Sequence, residues 1–252
     1  MSPPAHSLPQ LDLDALRSEI HVFPVMLDDT PAGSSSAGAF DPASCHWLSA
    51  DELARARAFT APRAHSAFVQ CRALLRRLLA EYLQQPAVSL AFTYNNFGKP
   101  SLTAYPELCF NVSHARTVAL LAFTLGVPVG VDIEPMRRVL NAQALADRFF
   151  SPAESSVLRS LPAEQIDAVF LACWTRKEAM VKALGISLAG QLGSFSVPLD
   201  VMPEPRSVAI AGSLLTLHSL PLAPHGVGAL AHAGPSRALR IESFHRAGTL
   251  LQ

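Results

Sequence analysis

Charge is scarce in this chain, and neither sign is in excess. Only 16% of its 252 residues are Asp, Glu, Lys or Arg, against roughly 25% in a typical soluble domain. The 20 basic residues equal the 20 acidic ones, so the formal net charge is zero. Non-specific nucleic-acid binding depends on many phosphate contacts from an excess of basic side chains. The composition therefore predicts that nucleic acid is not a partner.

Long hydrophobic runs and paired cysteines are also missing. The longest apolar run, residues 118–131, contains Gly, Thr and Pro and spans 14 residues, short of the ~20 that cross a bilayer. The N-terminal stretch is interrupted by acidic residues, unlike a secretory signal. The four cysteines lie far apart without a CxxC pair, which excludes a disulfide framework or a zinc site. We expect a cytoplasmic protein without a membrane partner.

Two helix-start signals recur 102 residues apart. Ser49 and Glu52 fit a capping box, and Ser151 and Glu154 repeat it with Pro152 at the first helical position. After each box the sequence predicts a long helix and then two strand-like segments. These lie at residues 68–82, 90–94 and 117–123 in the first copy, and at residues 166–184, 194–197 and 226–232 in the second.

Each copy also opens on a β-rich segment, at residues 21–27 and 128–134. We therefore predict an α+β fold built as a pseudo-twofold pair of similar α+β halves, residues 1–127 and 128–252. The alternative is an ordinary alternation of helix and strand. A pair of similar halves forms a cleft at its junction, a common place for ligand sites. Because one chain supplies both sides of the cleft, we expect a monomer.

Two acidic residues follow the apolar run. Asp132 and Glu134 lie two positions apart in a strand pattern, so they share one face while Val131 and Ile133 face the core. Two adjacent carboxylates repel each other and favour a cation between them. Mg²⁺ suits such a pair, because it takes oxygen ligands and commonly combines carboxylates with substrate phosphates. The alternative is a strand end with a solvated acidic face.

The second long helix carries more charge. Glu178 and Lys182 are four residues apart, on one edge of its apolar stripe. Lys177 falls inside that stripe, where a lysine must meet an anion or extend its stem to water. By themselves these residues fit a surface ion pair and an extended lysine. If the helix packs on the strand ending at Glu134, Glu178 becomes a third carboxylate and both lysines become phosphate contacts.

The first half offers further anion-binding groups. Lys99 lies in a turn before Pro100, and Ser113 and His114 end a strand pattern. No carboxylate orders this Ser and His, so a serine-hydrolase triad is not supported; a structural His and a phosphate contact both remain open. Residues 52–77 predict a basic surface through six arginines: Arg55, Arg57, Arg63, Arg72, Arg76 and Arg77.

Five motifs in this order closely resemble the 4′-phosphopantetheinyl transferases of the surfactin-synthetase-activating type. They are Gly98-Lys99-Pro100, Phe110-Asn111-Val112-Ser113-His114, Gly130-Val131-Asp132-Ile133-Glu134, Phe149-Phe150-Ser151 with Glu154, and Trp174-x-x-Lys177-Glu178-x-x-x-Lys182-x-x-Gly185. The resemblance implies a pseudo-dimeric α+β fold. It also implies a Mg²⁺-dependent enzyme that moves the phosphopantetheine arm of coenzyme A to a serine of an acyl or peptidyl carrier protein, releasing adenosine 3′,5′-bisphosphate.

The resemblance also implies roles for individual residues. Asp132, Glu134 and Glu178 hold the metal, and Lys182 contacts the pyrophosphate. The groups that bind coenzyme A and its phosphates are Lys99, Ser113 and His114, with Arg63 and Arg72 as candidate phosphate contacts. Two carboxylates are candidates for the general base, Glu178 first and Glu154 second, since a capping box already accounts for Glu154.

One position departs from the family pattern, because Ser187 stands where a glycine is usual. Two other functions are alternatives: another Mg²⁺-dependent phosphoryl-transfer enzyme such as a nuclease, and a non-catalytic binding module. The neutral charge argues against the nuclease, and the complete set of three carboxylates argues against the module.

Overall fold

The computed structural model describes residues 11–28, 45–187, 190–234 and 236–251. Residues 28–44 are rich in Pro, Gly, Ser and Ala, a composition that predicts a loop, and all of them except residue 28 lie outside these ranges. The described helices are α1 (Ala50–Arg57), α2 (Pro62–Leu83), α3 (Ala142–Phe149), α4 (Pro152–Ser160), α5 (Ala163–Leu184) and α6 (Ala247–Leu250). The described strands are β1 (Glu19–Met26), β2 (Phe92–Tyr94), β3 (Pro100–Leu102), β4 (Leu108–Ala115), β5 (Val118–Leu125), β6 (Val129–Glu134), β7 (Arg206–Ile210), β8 (Ser213–Leu220), β9 (Val227–Ala233), β10 (Ala238–Ile241) and β11 (His245–Arg246).

Two antiparallel strand sets share one connection pattern. The first sheet has the order β10–β1–β5–β4, and the second has the order β6–β9–β8–β7. In the first, β1 pairs with β5 and β5 with β4; in the second, β6 pairs with β9 and β9 with β8. The α+β class is confirmed. Near the end of the chain, β10 and β11 return to pair in parallel with β1.

The two sheets pack face to face, with a long helix outside each one. On β5, Leu121 faces the core beneath α2, while Leu120 faces the core between the sheets. On β6, Val131 and Ile133 also enter the core between the sheets. Strands buried on both faces read as continuous apolar runs, which explains the run at residues 118–131. Among the described helices, none has the length and apolar character needed to cross a membrane.

The predicted helix starts are confirmed. At α4, Ser151 Oγ accepts a hydrogen bond from Glu154 N at 3.3 Å, and Ser151 N donates to Glu154 Oε2 at 2.8 Å. Ser49 and Glu52 form the corresponding box at α1. The strand expected at residues 194–197 is wrong. A short 3₁₀ turn, Leu192–Ser194, replaces its start.

A buried histidine pair on β8 and β9 makes stability depend on pH. His232 Nδ1 lies 2.9 Å from the Ala233 carbonyl, which only accepts, so this nitrogen carries the proton. His232 Nε2 therefore accepts from His218 Nε2 at 3.2 Å. A further proton on His232 Nε2 would break this bond. Burial and then the neighbouring His232 lower the pKa of His218 from 6.5 to about 4.

The pKa of His218 is lower in the folded chain than in the unfolded chain. As the pH falls below about 6.5, His218 therefore becomes protonated in the unfolded chain while it stays neutral in the folded chain. We expect the free energy of unfolding to fall by about 2 kcal/mol between pH 7 and pH 5 through His218. Urea melts at both pH values measure this difference. His218→Gln, which cannot be protonated, should shrink it; an unchanged difference would contradict the interpretation.

Candidate functional site

The site begins with a glycine that lets α5 lie close to β6. A Cβ on Gly130 would come within 2.2 Å of Ala179 O and of Ala183 N, which are backbone atoms of α5. Only glycine permits this approach. The helix therefore crosses directly over the face of β6 that carries Asp132. The condition under which the sequence made Glu178 a third carboxylate is met.

Gly130→Ala should damage both stability and activity. Overpacking typically costs about 1–3 kcal/mol, and here the obstructing atoms are backbone atoms that cannot rotate away. The displaced helix also moves Glu178 and Lys182 from Asp132, so any activity that depends on this cluster should fall per folded molecule. Thermal melts and initial rates test this. Gly193→Ala is the matched control, since its Cβ would meet its nearest atom at 3.5 Å; equal losses in both variants would refute the close-approach argument.

Asp132 lies at the centre of the cluster. Its Oδ1 accepts a hydrogen bond from Ser113 Oγ at 2.8 Å and from Lys182 Nζ at 2.5 Å. Lys182 Nζ also lies 3.2 Å from Glu178 Oε2. This cluster thus draws side chains from β4, β6 and α5. Within it, Lys182 bridges the carboxylates of Asp132 and Glu178.

Burial determines the electrostatics of this cluster. Desolvation raises the pKa of Asp132, although Lys182 and Ser113 oppose that shift. Desolvation and the neighbouring Asp132 raise the pKa of Glu178. Burial alone would lower the pKa of Lys182, but the charges of Asp132 and Glu178 outweigh it and the net shift is upward. The two carboxylates of the cluster carry more negative charge than Lys182 alone neutralises.

The carboxylates present fit a divalent cation. Asp132 Oδ2 is buried and has no hydrogen-bond partner, so one oxygen of the central carboxylate is open to a ligand. Glu134 and Glu178 both line a cavity of ≈ 360 Å³. Within the described ranges, no three His, Cys, Asp or Glu side chains already converge as a metal cage. Lys182 holds Asp132 and Glu178 in the arrangement observed.

Lys177 and Glu154 are not part of this cluster. Lys177 is fully buried, lies 2.7 Å from Glu154 Oε2, and donates to the carbonyls of Leu192 at 2.6 Å and Phe195 at 2.5 Å. Glu154 also accepts from Val197 N at 2.7 Å. The phosphate contact expected of Lys177 is therefore wrong. Glu154 is engaged by Lys177, Ser151 and Val197, and its place as the second candidate for the general base stays a prediction.

Lys99 joins the end of α5 to β6. Its Nζ donates to the carbonyls of Val129 at 3.0 Å, Lys182 at 2.7 Å and Ala183 at 2.8 Å. An ammonium has three protons, so all of them are used in tying the end of α5 to β6. Burial lowers the pKa of Lys99 to about 8. In this structure its ammonium is a structural clamp, and its contact with coenzyme A stays a prediction.

Two asparagines, to which the sequence analysis assigned no role, also hold β4, β6 and the end of α5 together. Asn111 Oδ1 accepts from Val131 N at 2.9 Å, which joins β4 to β6. Asn95 Nδ2 donates to Gly185 O at 2.7 Å, where α5 ends with a φ of 63°. Both asparagines stood in the quoted motifs or beside them, but only their long-range partners identify them as positioning residues. Ser187 lines a cavity next to Gly185.

The expected coenzyme A residues separate into two groups. Ser113 belongs to the carboxylate cluster, as its bond to Asp132 shows. His114 and Arg63 instead line a cavity of ≈ 430 Å³ on the first half. Burial, followed by the positive charge of Lys182, lowers the pKa of His114. The cavity and the carboxylate cluster are linked along β4 through the adjacent residues Ser113 and His114.

The basic surface expected over residues 52–77 is only half present. Arg72 and Arg76 are buried and share Glu52, with Nε to carboxylate distances of 3.5 Å and 2.5 Å. The Arg72 guanidinium also stacks over Phe92 at 4.9 Å. Arg72 is thus a core ion-pair residue, and its assignment as a phosphate contact stays a prediction. The exposed members of the set are Arg55, Arg57 and Arg63.

Comparison with known proteins identifies the family. Residues 128–219 match the model of the 4′-phosphopantetheinyl transferase superfamily. The 4′-phosphopantetheinyl transferase HetI of Nostoc sp. is 36% identical over 210 residues, which cover 82% of this chain and 85% of that protein. AcpT of Salmonella typhimurium is 37% identical over 141 residues, covering 55% of this chain and 69% of AcpT. Sfp of Bacillus subtilis is 32% identical over 126 residues, covering 50% and 55% of the two chains. The chain belongs to the 4′-phosphopantetheinyl transferase superfamily and is an enzyme of that type.

Proposed function

We propose that this enzyme transfers the 4′-phosphopantetheine arm of coenzyme A to a serine of an acyl or peptidyl carrier protein in a Mg²⁺-dependent reaction. The serine oxygen forms a bond to the phosphorus that bears the pantetheine arm. The P–O bond of the pyrophosphate breaks, and adenosine 3′,5′-bisphosphate leaves. The observation that supports this most is the buried Asp132 carboxylate, with one oxygen open, beside Glu178 and Lys182.

The residues that would hold Mg²⁺ are Asp132, Glu134 and Glu178; the bound ion supplies positive charge to the pyrophosphate. Phosphoryl transfer asks an enzyme mainly for positioning and charge neutralisation. Lys182 is placed to supply a second positive charge from α5. The carrier serine must lose a proton to a base. Glu178 is the favoured base, because it lies in the carboxylate cluster at 3.2 Å from Lys182, whereas Glu154 is engaged in a capping box.

The domain arrangement of this proposal has two halves, residues 1–127 and 128–252, in one active monomer. The repeated strand order supports the division. The first half supplies Ser113 and the cavity lined by His114 and Arg63, here called the nucleotide cavity because we assign the nucleotide of coenzyme A to it. The second half supplies the carboxylates. Light scattering of active enzyme tests the monomer. A stable trimer as the sole active species would refute it.

The intact mass of an apo carrier protein tests the reaction. After incubation with coenzyme A, Mg²⁺ and the enzyme, the carrier should gain the mass of one phosphopantetheine, and a Ser→Ala carrier should gain none. Omission of Mg²⁺ with EDTA should prevent the gain. No mass change across a panel of fatty-acid, polyketide and peptide carriers would overturn the proposal. Cleavage of plasmid DNA under the same conditions would favour the nuclease alternative.

His114→Ala should distinguish coenzyme A from dephospho-coenzyme A. His114 lines the nucleotide cavity, and we assign it to the 3′-phosphate. A hydrogen bond to a charged phosphate contributes about 1.5–3 kcal/mol, which is roughly a ten- to hundred-fold change in affinity. KM for coenzyme A should rise by that factor, while KM for dephospho-coenzyme A should barely change. Equal rises together with a lower Tm would make His114 a packing residue.

A further inference from the structure

An arginine outside the sequence motifs, Arg116, shares the cavity of His114 and Arg63. Strands β4 and β5 are joined by a two-residue turn, Arg116 and Thr117, and both residues line the cavity with His114 and Arg63. Arg116 is exposed to solvent. The tip of this hairpin therefore places a guanidinium at the mouth of the space in which the nucleotide of coenzyme A is proposed to bind.

The turn itself does not explain an arginine at this position. Arg116 has a φ of 52°, in the left-handed region. Residues with a Cβ are disfavoured there, and two-residue hairpin turns prefer Gly, Asn or Asp. An arginine that the backbone disfavours is accounted for when its side chain has a task that glycine cannot perform.

Among the described residues, this guanidinium has no structural partner. Within the described part of the chain, neither the Arg116 guanidinium nor the His114 ring takes part in an ion pair or a hydrogen bond. The carboxylate that also lines the cavity, Asp28, is engaged elsewhere: its Oδ2 accepts from Gly248 N at 3.0 Å, and its Oδ1 lies 3.9 Å from Arg246. Two nitrogen donors thus face one cavity without a partner in residues 11–28, 45–187, 190–234 and 236–251.

The charge at this place comes from the arginine. The pKa of His114 is lowered by burial and by Lys182, so its ring is mainly neutral at pH 7 before a ligand binds. An arginine stays protonated, and its planar fork can bind two phosphate oxygens at once. A terminal phosphate monoester, which carries nearly two negative charges near pH 7, is the part of coenzyme A that matches this pair of groups.

We propose that Arg116 binds the 3′-phosphate of coenzyme A together with His114 and thereby helps the enzyme to distinguish coenzyme A from dephospho-coenzyme A. This assignment rests on the proposed function, since it takes coenzyme A as the ligand. It adds a residue that neither the sequence motifs nor the matched family segment, residues 128–219, contains.

Calorimetric titration of the full chain with coenzyme A, dephospho-coenzyme A and adenosine 3′,5′-bisphosphate tests the assignment. Arg116→Gly should weaken coenzyme A and the bisphosphate by roughly ten- to a hundred-fold, and dephospho-coenzyme A by less than about two-fold. The same variant should keep or raise Tm, because glycine adopts the left-handed conformation freely. Arg116→Lys, which keeps the charge without the fork, should lie between the two.

Ala211→Gly is the matched backbone control. Ala211 also has a left-handed φ, 48°, in the two-residue turn between β7 and β8, and it is not among the residues lining the cavity. It should raise Tm similarly and leave all three affinities unchanged. If wild type prefers coenzyme A to dephospho-coenzyme A and Arg116→Gly keeps that preference, the Arg116 assignment is overturned and the proposed function stands. If wild type binds none of the three ligands, both are overturned.

Discussion

Asp132→Asn should abolish Mg²⁺-dependent transfer while the protein stays folded. The amide keeps the shape and an oxygen that can accept from Ser113 or Lys182, but it removes the negative charge that a cation needs. A metal ion contributes several kcal/mol of charge stabilisation to a transition state. We therefore expect transfer to fall by at least about a thousand-fold.

The fold should tolerate this change, because burial deprives the charged Asp132 carboxylate of water and thereby lowers the stability of the folded protein. Burial is the largest cause of its raised pKa. Without Mg²⁺, Tm of Asp132→Asn should equal or exceed that of wild type. Added Mg²⁺ should raise Tm of wild type, since a ligand that binds only the folded state stabilises it, and should not raise that of the variant.

Asp147→Asn is the matched control for this test. Asp147 is an exposed aspartate whose carboxylate lies 2.8 Å from Arg159 on the surface. Its replacement should leave both the transfer rate and the Mg²⁺-dependent rise in Tm at wild-type values. Full activity in Asp132→Asn would exclude Asp132 from the site, and so would a Mg²⁺-dependent Tm rise as large as that of wild type.

The placement of Asp132 and Glu134 on one strand face was predictable from the sequence, because alternation in a strand is a local property. The helix boundaries near the capping boxes were predictable for the same reason. The contact between α5 and β6 was only conditional at that level. It depends on Gly130, which has no Cβ. The close distance between the two backbones that this glycine permits is seen only in the structure.

The role of each cation was the least predictable feature. A lysine or arginine in a motif has the same chemistry whether its partner is a phosphate, a carbonyl or a distant carboxylate. Lys99 spends its protons on three carbonyls, and Arg72 shares a glutamate twenty residues earlier in the chain. Conversely, Arg116 carries no motif and was found only because the hairpin turns it toward the cavity of His114.

The sequence did not reveal strand β8, and the strand it predicted at residues 194–197 is wrong. In β8 the buried face includes polar residues, and at residues 194–197 side chains bind the backbone groups that a neighbouring strand would bind. Strand β8 contains polar Thr216 and His218 on its buried face toward the other sheet, so its sequence lacks a clean apolar alternation. At residues 194–197 the sequence is β-like, but the Val197 N–H donates to Glu154 and the Phe195 carbonyl accepts from Lys177. Side chains there satisfy the backbone groups that a neighbouring strand would otherwise bind.

Lys177→Met should destabilise the protein by about 3–5 kcal/mol, because it leaves the buried Glu154 carboxylate without its counter-charge. It also leaves the carbonyls of Leu192 and Phe195 without their donor. Glu154→Gln should be destabilised as well, since it strands the lysine charge. The double variant removes both charges, so we expect it to regain part of the lost stability; urea melts of the four proteins give the coupling free energy.

The same four proteins separate a structural ion pair from a catalytic base. Glu154 lies in a cluster with Lys177, Ser151 and Val197, whereas the reaction is proposed at Asp132 and Glu178. At a temperature where all four are folded, kcat of Glu154→Gln should stay within a few-fold of wild type, and the double variant should match it. A loss of a hundred-fold or more in kcat, unrelieved in the double variant although its stability recovers, would restore Glu154 as the base.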